Sequence, residues 1–287
     1  MKLFRHGEPG RERPGLLDGD GHRRDLSGVI DDVTGRALAG DVLRRLRGLD
    51  PASLPRVDPD ARLGPCVGRV GNFVGIGLNF ADHAAEAGLP IPAHPLVFNK
   101  APSCIAGPDD ALCLPPGARE LDYEVELAVV LCRDAWQVGP DQATACIGGY
   151  CLANDFTDRH WQNRYAGQWT IGKSGPGFGP LGPWLVTPDE IPDVDGILLE
   201  LKVNGETRQH ARAAGMIFKA PRLIAYLSSF FRLEAGDVVT MGTPAGVGLA
   251  TGRYLRGGDR VRADGGVLGT QDIAIVPESI QTYNNQA

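Results

Sequence analysis

Leu121-Asp122-Tyr123-Glu124-Val125-Glu126-Leu127 sets acids among apolar residues in a run that continues as a buried strand to Leu131. Side chains on a strand alternate between faces, so Glu124 and Glu126 share one face and Tyr123, Val125 and Leu127 the other. Two neighbouring carboxylates in a buried place repel each other and resist desolvation unless something positive lies between them. A hard divalent cation with oxygen ligands answers that need. The competing reading is an exposed edge strand with a solvated acidic face, and the segment alone leaves both open.

Outward from this strand, further runs with strand character are Lys2–Arg5, Gly15–Asp18, Phe73–Ile76, Ala111–Leu114, Cys146–Ala153, Trp184–Thr187, Leu198–Val203, Val238–Met241 and Val267–Val276. Helical periodicity is found around Leu38–Leu46 and over Ala213–Phe231, and Leu89–Ala106 and residues 250–258 read as loops. Strands dominate without a regular β-then-α alternation, so the expected class is α+β with a largely mixed sheet. Asn204-Gly205 between two strand-like runs is a hairpin signal. The proline-rich stretch from Asp50 to Pro65 marks a linker, dividing a small amino-terminal α/β domain (residues 1–67) from a larger one (68–287).

Composition narrows the function. The chain has 287 residues, 43% of them hydrophobic, and a net charge of −6. It lacks the basic footprint that phosphate backbones require, so small molecules rather than nucleic acids are the expected partners. The opening residues turn polar at once, and no run approaches the roughly 18–20 apolar residues of a membrane span. The expectation is a cytoplasmic protein with no membrane partner. Six scattered cysteines form no C-x-x-C pair and read as small core hydrophobes.

Gly167-Gln168-Trp169-Thr170-Ile171-Gly172-Lys173-Ser174 satisfies the P-loop pattern literally. Its bulky interior, and the Gly-Pro-Gly after it that cannot begin a helix, contradict a phosphate cradle and free Lys173 for another role. Gly75-Ile76-Gly77 has Phe80 where a dinucleotide fingerprint needs its third glycine.

Asn79 to Gly88 reads as a short helix with Asn79 as N-cap and Gly88 as the C′ residue. His83 and Glu86 are then i, i+3 neighbours, either an acid–base dyad or a surface histidine beside a solvated glutamate. Asp155, after the apolar run Ile147–Ala153, is either a third carboxylate for the same cation or a helix N-cap. Gly242-Thr243-Pro244-Ala245-Gly246-Val247-Gly248 is either a tight loop or a set of open backbone N–H groups, with the Thr243 hydroxyl, for an anionic ligand.

Together these segments resemble the fumarylacetoacetate hydrolase family. The matching residues run in the family's order: Gly77–Glu86, Asp122–Leu127, Asn154-Asp155, Arg159 with Gln162, Gly172-Lys173-Ser174, Pro180–Trp184 and Gly242–Gly248. Gly7–Gly10, Pro14–Asp18 and Gly64–Gly68 further resemble a bacterial subgroup with a small extra amino-terminal domain. The resemblance implies a mixed β-sandwich roll, usually a homodimer, with Mg²⁺ or Mn²⁺ held by Glu124, Glu126 and Asp155. It implies His83 and Glu86 as the water-activating pair, Lys173 as a cation where negative charge develops, and Arg159, Gln162 and Thr243 as substrate contacts.

The activity it implies is hydrolysis of the C3–C4 bond of a 2,4-dioxo acid, the subgroup pointing to a 2,4-diketo-3-deoxy sugar acid such as the rhamnonate or fuconate derivative. Alternatives within the family are oxaloacetate decarboxylase, ureidoglycolate lyase and 2-oxo-acid hydratase or isomerase; a non-enzymatic alternative is a metal-binding homodimer that has lost activity. This sequence departs from the family at Gly175-Pro176-Gly177, where an acid commonly stands, and at His160, where another acid is common. The first departure bears on the position of Lys173 and on substrate preference; the second is the milder difference.

Overall fold

The computed structural model describes residues 1–165 and 167–277. The last ten residues of the expected larger domain lie outside them. The strands in chain order are β1 (Lys2–His6), β2 (Arg13–Leu17), β3 (Arg23–Asp25), β4 (Phe73–Gly77), β5 (Leu96–Lys100), β6 (Ile105–Ala106), β7 (Leu112–Cys113), β8 (Leu121–Asp122) and β9 (Val125–Leu131). They continue as β10 (Ile147–Asn154), β11 (Thr157–Asp158), β12 (Gly179–Pro180), β13 (Leu185–Val186), β14 (Leu198–Val203), β15 (Glu206–Arg212), β16 (Val238–Thr240), β17 (Arg260–Asp264) and β18 (Thr270–Val276). The helices are short: α1 (Gly40–Arg47), α2 (Ala81–Glu86), α3 (Pro140–Thr144), α4 (Arg159–Arg164), α5 (Trp169–Lys173), α6 (Ala220–Ser228) and α7 (Gly248–Thr251).

A nine-stranded mixed sheet has the order β3-β2-β1-β13-β10-β9-β16-β4-β5, and a five-stranded sheet the order β15-β14-β17-β18-β7. β9 and β10 are buried along their whole length, as strands covered on both faces must be. β14 and β18 bury every second residue, so one face of the smaller sheet joins the core and the other meets water. Leu199, Leu201, Val261 and Ile273 belong to the same apolar cluster as Leu127, Val129 and Leu152, so both sheets share one core.

Sheet pairing crosses the expected boundary at residue 67. β1 pairs antiparallel with β13, Lys2 opposite Val186, and Leu3, Leu16 and Leu26 lie in the common core. Residues 1–67 thus extend the large sheet rather than standing clear of it.

Several local readings change. Leu96–Lys100 is not loop but the edge strand β5, antiparallel to β4, and it carries Phe98 and Lys100 inward. The expected helix over Ala213–Phe231 is confined to α6, which Pro221 helps to start; Ala213–Gly215 is a single 3₁₀ turn. Asn79 does not cap α2: its amide is buried, donating to the carbonyls of Phe218 (3.0 Å) and Met241 (2.7 Å) and accepting from Phe218 N. Gly88 does close α2, at φ +65, with its N–H on Ala85 O and that of Leu89 on Ala84 O. Asn204 and Gly205 both have positive φ, joining β14 to β15 as a two-residue hairpin turn.

Candidate active site

β9 lies between β10 and β16 in the middle of the large sheet, so the edge-strand reading of Glu124 and Glu126 falls. Glu124 is 5% exposed and Glu126 1%. The strand ladder begins only at Val125, because the backbone at Glu124 is engaged sideways: its N–H donates to Asn154 Oδ1 (3.0 Å) and its carbonyl accepts from Asp155 N (2.8 Å). That crossing brings Asp155 against the acids of β9. Carboxylate oxygens of Glu124, Glu126 and Asp155 lie within 4.8 Å of one another. Asp155 caps no helix; Asp158 caps α4 through Trp161 N.

Three buried cations surround the acids. Lys173 Nζ, at the end of α5, reaches Asp155 Oδ2 (2.5 Å), Glu124 Oε2 (2.9 Å) and Thr157 Oγ1 (2.9 Å). A P-loop lysine would open a helix, not end one. Arg159 pairs with Glu124 and, through Nε, with Asp122 (2.8 Å), while its Nη1 donates to Gln162 Oε1 (3.0 Å). Lys100 Nζ holds Asp155 Oδ1 and the carbonyls of Lys173 and Phe178. α4 and α5 approach closely only because residue 172 is glycine: a Cβ there would fall 2.6 Å from Gln162 N and Cβ.

The charges do not balance. Asp122, Glu124, Glu126 and Asp155 face Lys100, Arg159 and Lys173, four acids to three bases. Burial would raise the Glu124 carboxyl, but Arg159 and then Lys173 beside it hold it well below the usual range. Glu126 has no ion pair among the described residues. Burial and the carboxylates of Asp155 and Glu124 push its carboxyl well up, and neither the more distant Lys173 nor Gly242 N–H (2.8 Å) offsets them. A hard cation fits this donor set: all oxygen, buried, and one positive charge short.

His83 and Glu86 face each other on α2, Nδ1 to Oε2 at 3.3 Å, and His83 lines the cleft that holds the acids. Glu86 also accepts from Gly246 N at 2.9 and 3.2 Å, tying α2 to the glycine-rich loop. That loop is not the open anion cradle its composition allows. Its N–H groups at 242, 246 and 248 already serve Glu126, Glu86 and Asp122. The Thr243 hydroxyl donates to Val125 O (2.9 Å) and accepts from Gln209 Nε2 (2.8 Å), though Thr243 still lines the cleft. Tyr123, pushed up to about 12 by burial and Asp122, stays a phenol and donates to Gly246 O.

The cleft has a volume of about 150 Å³ and gathers His83, Glu124, Glu126, Arg159, Gln162, Lys173 and Thr243. The model of the fumarylacetoacetate (FAA) hydrolase C-terminal family matches residues 72–276, which span all of them. The chain belongs to the fumarylacetoacetate hydrolase family. A Burkholderia multivorans protein, named only provisionally as a hydrolase, is 49% identical over 274 residues, covering 94% of this chain and 97% of its own. Fumarylacetoacetate hydrolase from Exiguobacterium antarcticum superposes with a TM-score of 0.83 at 32% identity, over 97% of this chain and 100% of that one. Maleylpyruvate hydrolase from Sphingobium sp. SYK-6 gives 0.79 at 25%, over 96% and 100%. Membership of the family makes the chain an enzyme.

Four residues of the site carry roles that their local sequence does not reveal. Lys100 looked like one polar residue in a loop. Asp122, within the same motif as Glu124 and Glu126, takes Arg159 and the N–H groups of Gly248 and Leu249. Thr157 reaches Lys173, and Gln209, from β15, locks Thr243 and accepts from Val125 N. Asp122 alone carried a usable signal, its place two residues before Glu124.

Proposed function

We propose that this enzyme hydrolyses the C3–C4 bond of a 2,4-dioxo acid, giving pyruvate and a carboxylic acid. The observation that carries the reading is the buried cluster of Glu124, Glu126 and Asp155, of which Glu124 and Glu126 line a cleft together with His83. Mg²⁺ or Mn²⁺ bound by these three acids would supply Lewis-acid polarisation of the 2-oxo end of the substrate.

The chain's own groups account for the rest. His83 Nε2 is the free ring nitrogen, since Nδ1 faces Glu86, and it takes a proton from water. The water oxygen bonds to C4, the C3–C4 bond breaks, and its electron pair goes to C3, which is then protonated. Negative charge passing toward the 2-oxo oxygen meets the Lys173 ammonium, whose pKa Asp155 and Glu124 raise against the effect of burial. Arg159 fixes Gln162 Oε1, which leaves Gln162 Nε2 to orient the 1-carboxylate.

The test is pyruvate release from a panel of 2,4-dioxo acids and oxaloacetate, with Mg²⁺ or Mn²⁺ and with EDTA, for wild type and His83→Ala. Metal-dependent cleavage of dioxo acids that His83→Ala lowers by about 10²–10⁴-fold is the expected result. Turnover of oxaloacetate alone, undiminished in His83→Ala, would replace this reading with decarboxylation.

A further inference from the structure

The cleft has two chemically distinct ends. The acids and their cations form one. Ile76, Leu78, Leu89, Phe98, Trp169 and Leu249 make half of the remaining lining. The two ends meet at Lys173, whose Nζ lies 4.7 Å from the Phe98 ring centroid and 6.0 Å from that of Trp169. The rings are themselves packed at 5.4 Å, so an aromatic pair lies against this ammonium.

The backbone is built around that pair. A Cβ at position 75 would fall 2.1 Å from Phe98 Cζ, and one at 77 would fall 2.8 Å from Trp169 Cζ3. Glycine at both places lets the rings settle on β4. At the outer rim, Leu89 is 49% and Leu249 45% exposed, and both line the cleft. A ligand that covers them gains burial.

Charge is missing from this end. The cations among the described lining residues are Arg159 and Lys173, and both are already paired with Asp122, Glu124 and Asp155. A second carboxylate on the substrate would be desolvated there without a counter-ion, and a run of hydroxyls would find Asn163 as its main side-chain partner. The 150 Å³ covers both ends of the cleft, so the room left beyond the acids is small and suits a compact acyl group.

We infer that the acyl group beyond C4 is compact, apolar and uncharged: the substrate is a short-chain or aromatic acylpyruvate, and the acid released alongside pyruvate is a simple monocarboxylic acid. This rests on the hydrolase reading above and departs from the sugar-acid expectation.

The experiment compares kcat/KM for pyruvate release, in Mg²⁺, among 2,4-dioxo acids that differ only in the acyl group: acetyl, butanoyl and benzoyl against succinyl and a polyhydroxylated chain. The apolar members should exceed the others by at least about tenfold, the order expected for fit in an apolar pocket. Leu249→Arg, at an exposed rim position, should lower that ratio by a similar factor. Equal or faster turnover of the succinyl or polyhydroxylated acid, or a ratio untouched by Leu249→Arg, overturns the inference while the hydrolase reading stands. Turnover of no member overturns both.

Discussion

Lys100 Nζ donates to Asp155 Oδ1 at 2.5 Å, and both side chains are fully buried. The edge strand of the large sheet thus reaches into the acid cluster and fixes one oxygen of Asp155, while Lys173 fixes the other. Lys100→Met keeps the length and removes the charge. It leaves Asp155 with one cation and two carbonyls without their donor, so a loss of about 3–5 kcal/mol is expected from removing one partner of a buried pair. Urea unfolding in EDTA measures it; a loss under 1 kcal/mol would mean that Lys100 is a passive filler.

Glu86 has two tasks that a double-variant cycle separates. It faces His83 and it latches Gly246. For catalysis, His83→Ala/Glu86→Ala should be no slower than His83→Ala alone, because orienting an absent imidazole is worth nothing. For stability, only the variants lacking Glu86 should lose the latch, about 1 kcal/mol by thermal unfolding. Rates that multiply across the two sites would show that Glu86 acts independently of His83.

His6 sets a dependence of stability on pH. It is 2% exposed, and burial lowers its pKa below the ordinary 6.5, with Asp25 opposing and Arg13 and Arg23 assisting. The folded state therefore binds fewer protons than the unfolded one below pH 6.5. Stability is complete above that pH and falls as pH drops, with a slope of at most about 1.4 kcal/mol per pH unit from this group. His6→Gln should flatten the decline in unfolding free energy between pH 6.5 and 5; an unchanged slope would assign it to other groups.

Gly75→Ala tests the seat of Phe98. The added methyl would meet the ring at 2.1 Å, so Phe98 must leave its place over Lys173. Overpacking of this kind costs typically 1–3 kcal/mol. A thermal midpoint within a degree of wild type would show that the ring moves freely.

How much the sequence revealed followed from where each residue sits. Glu124, Glu126 and Asp155 stand in or beside apolar runs, where a charge signals burial and a partner, whereas Arg159 and Lys173 were legible only through the resemblance. Lys100 gave no such signal, because Leu96–Lys100 buries only two of its five residues and its partner Asp155 is 55 positions away. The joining of β1 to β13 was equally hidden: strand pairing is written in no local pattern when the partners are about 180 residues apart. Thr243 and its loop misled for the opposite reason. Small residues make N–H groups accessible to an anion, and the anions that took them are the protein's own carboxylates.

The order of strands in the large sheet also governs how the chain is made. β4 and β9 flank β16, yet β16 begins at residue 238, more than a hundred positions after β9 ends. At roughly 5–20 residues per second, the ribosome leaves that slot empty for about 5–20 s. During this interval two apolar strands have raw edges, the template from which wrong pairings and aggregates grow. The last central strand is thus a keystone. A nascent chain halted before residue 238 has Glu124 and Glu126 already written, but no Gly242 N–H for Glu126 and no neighbour to seal the strand that bears it.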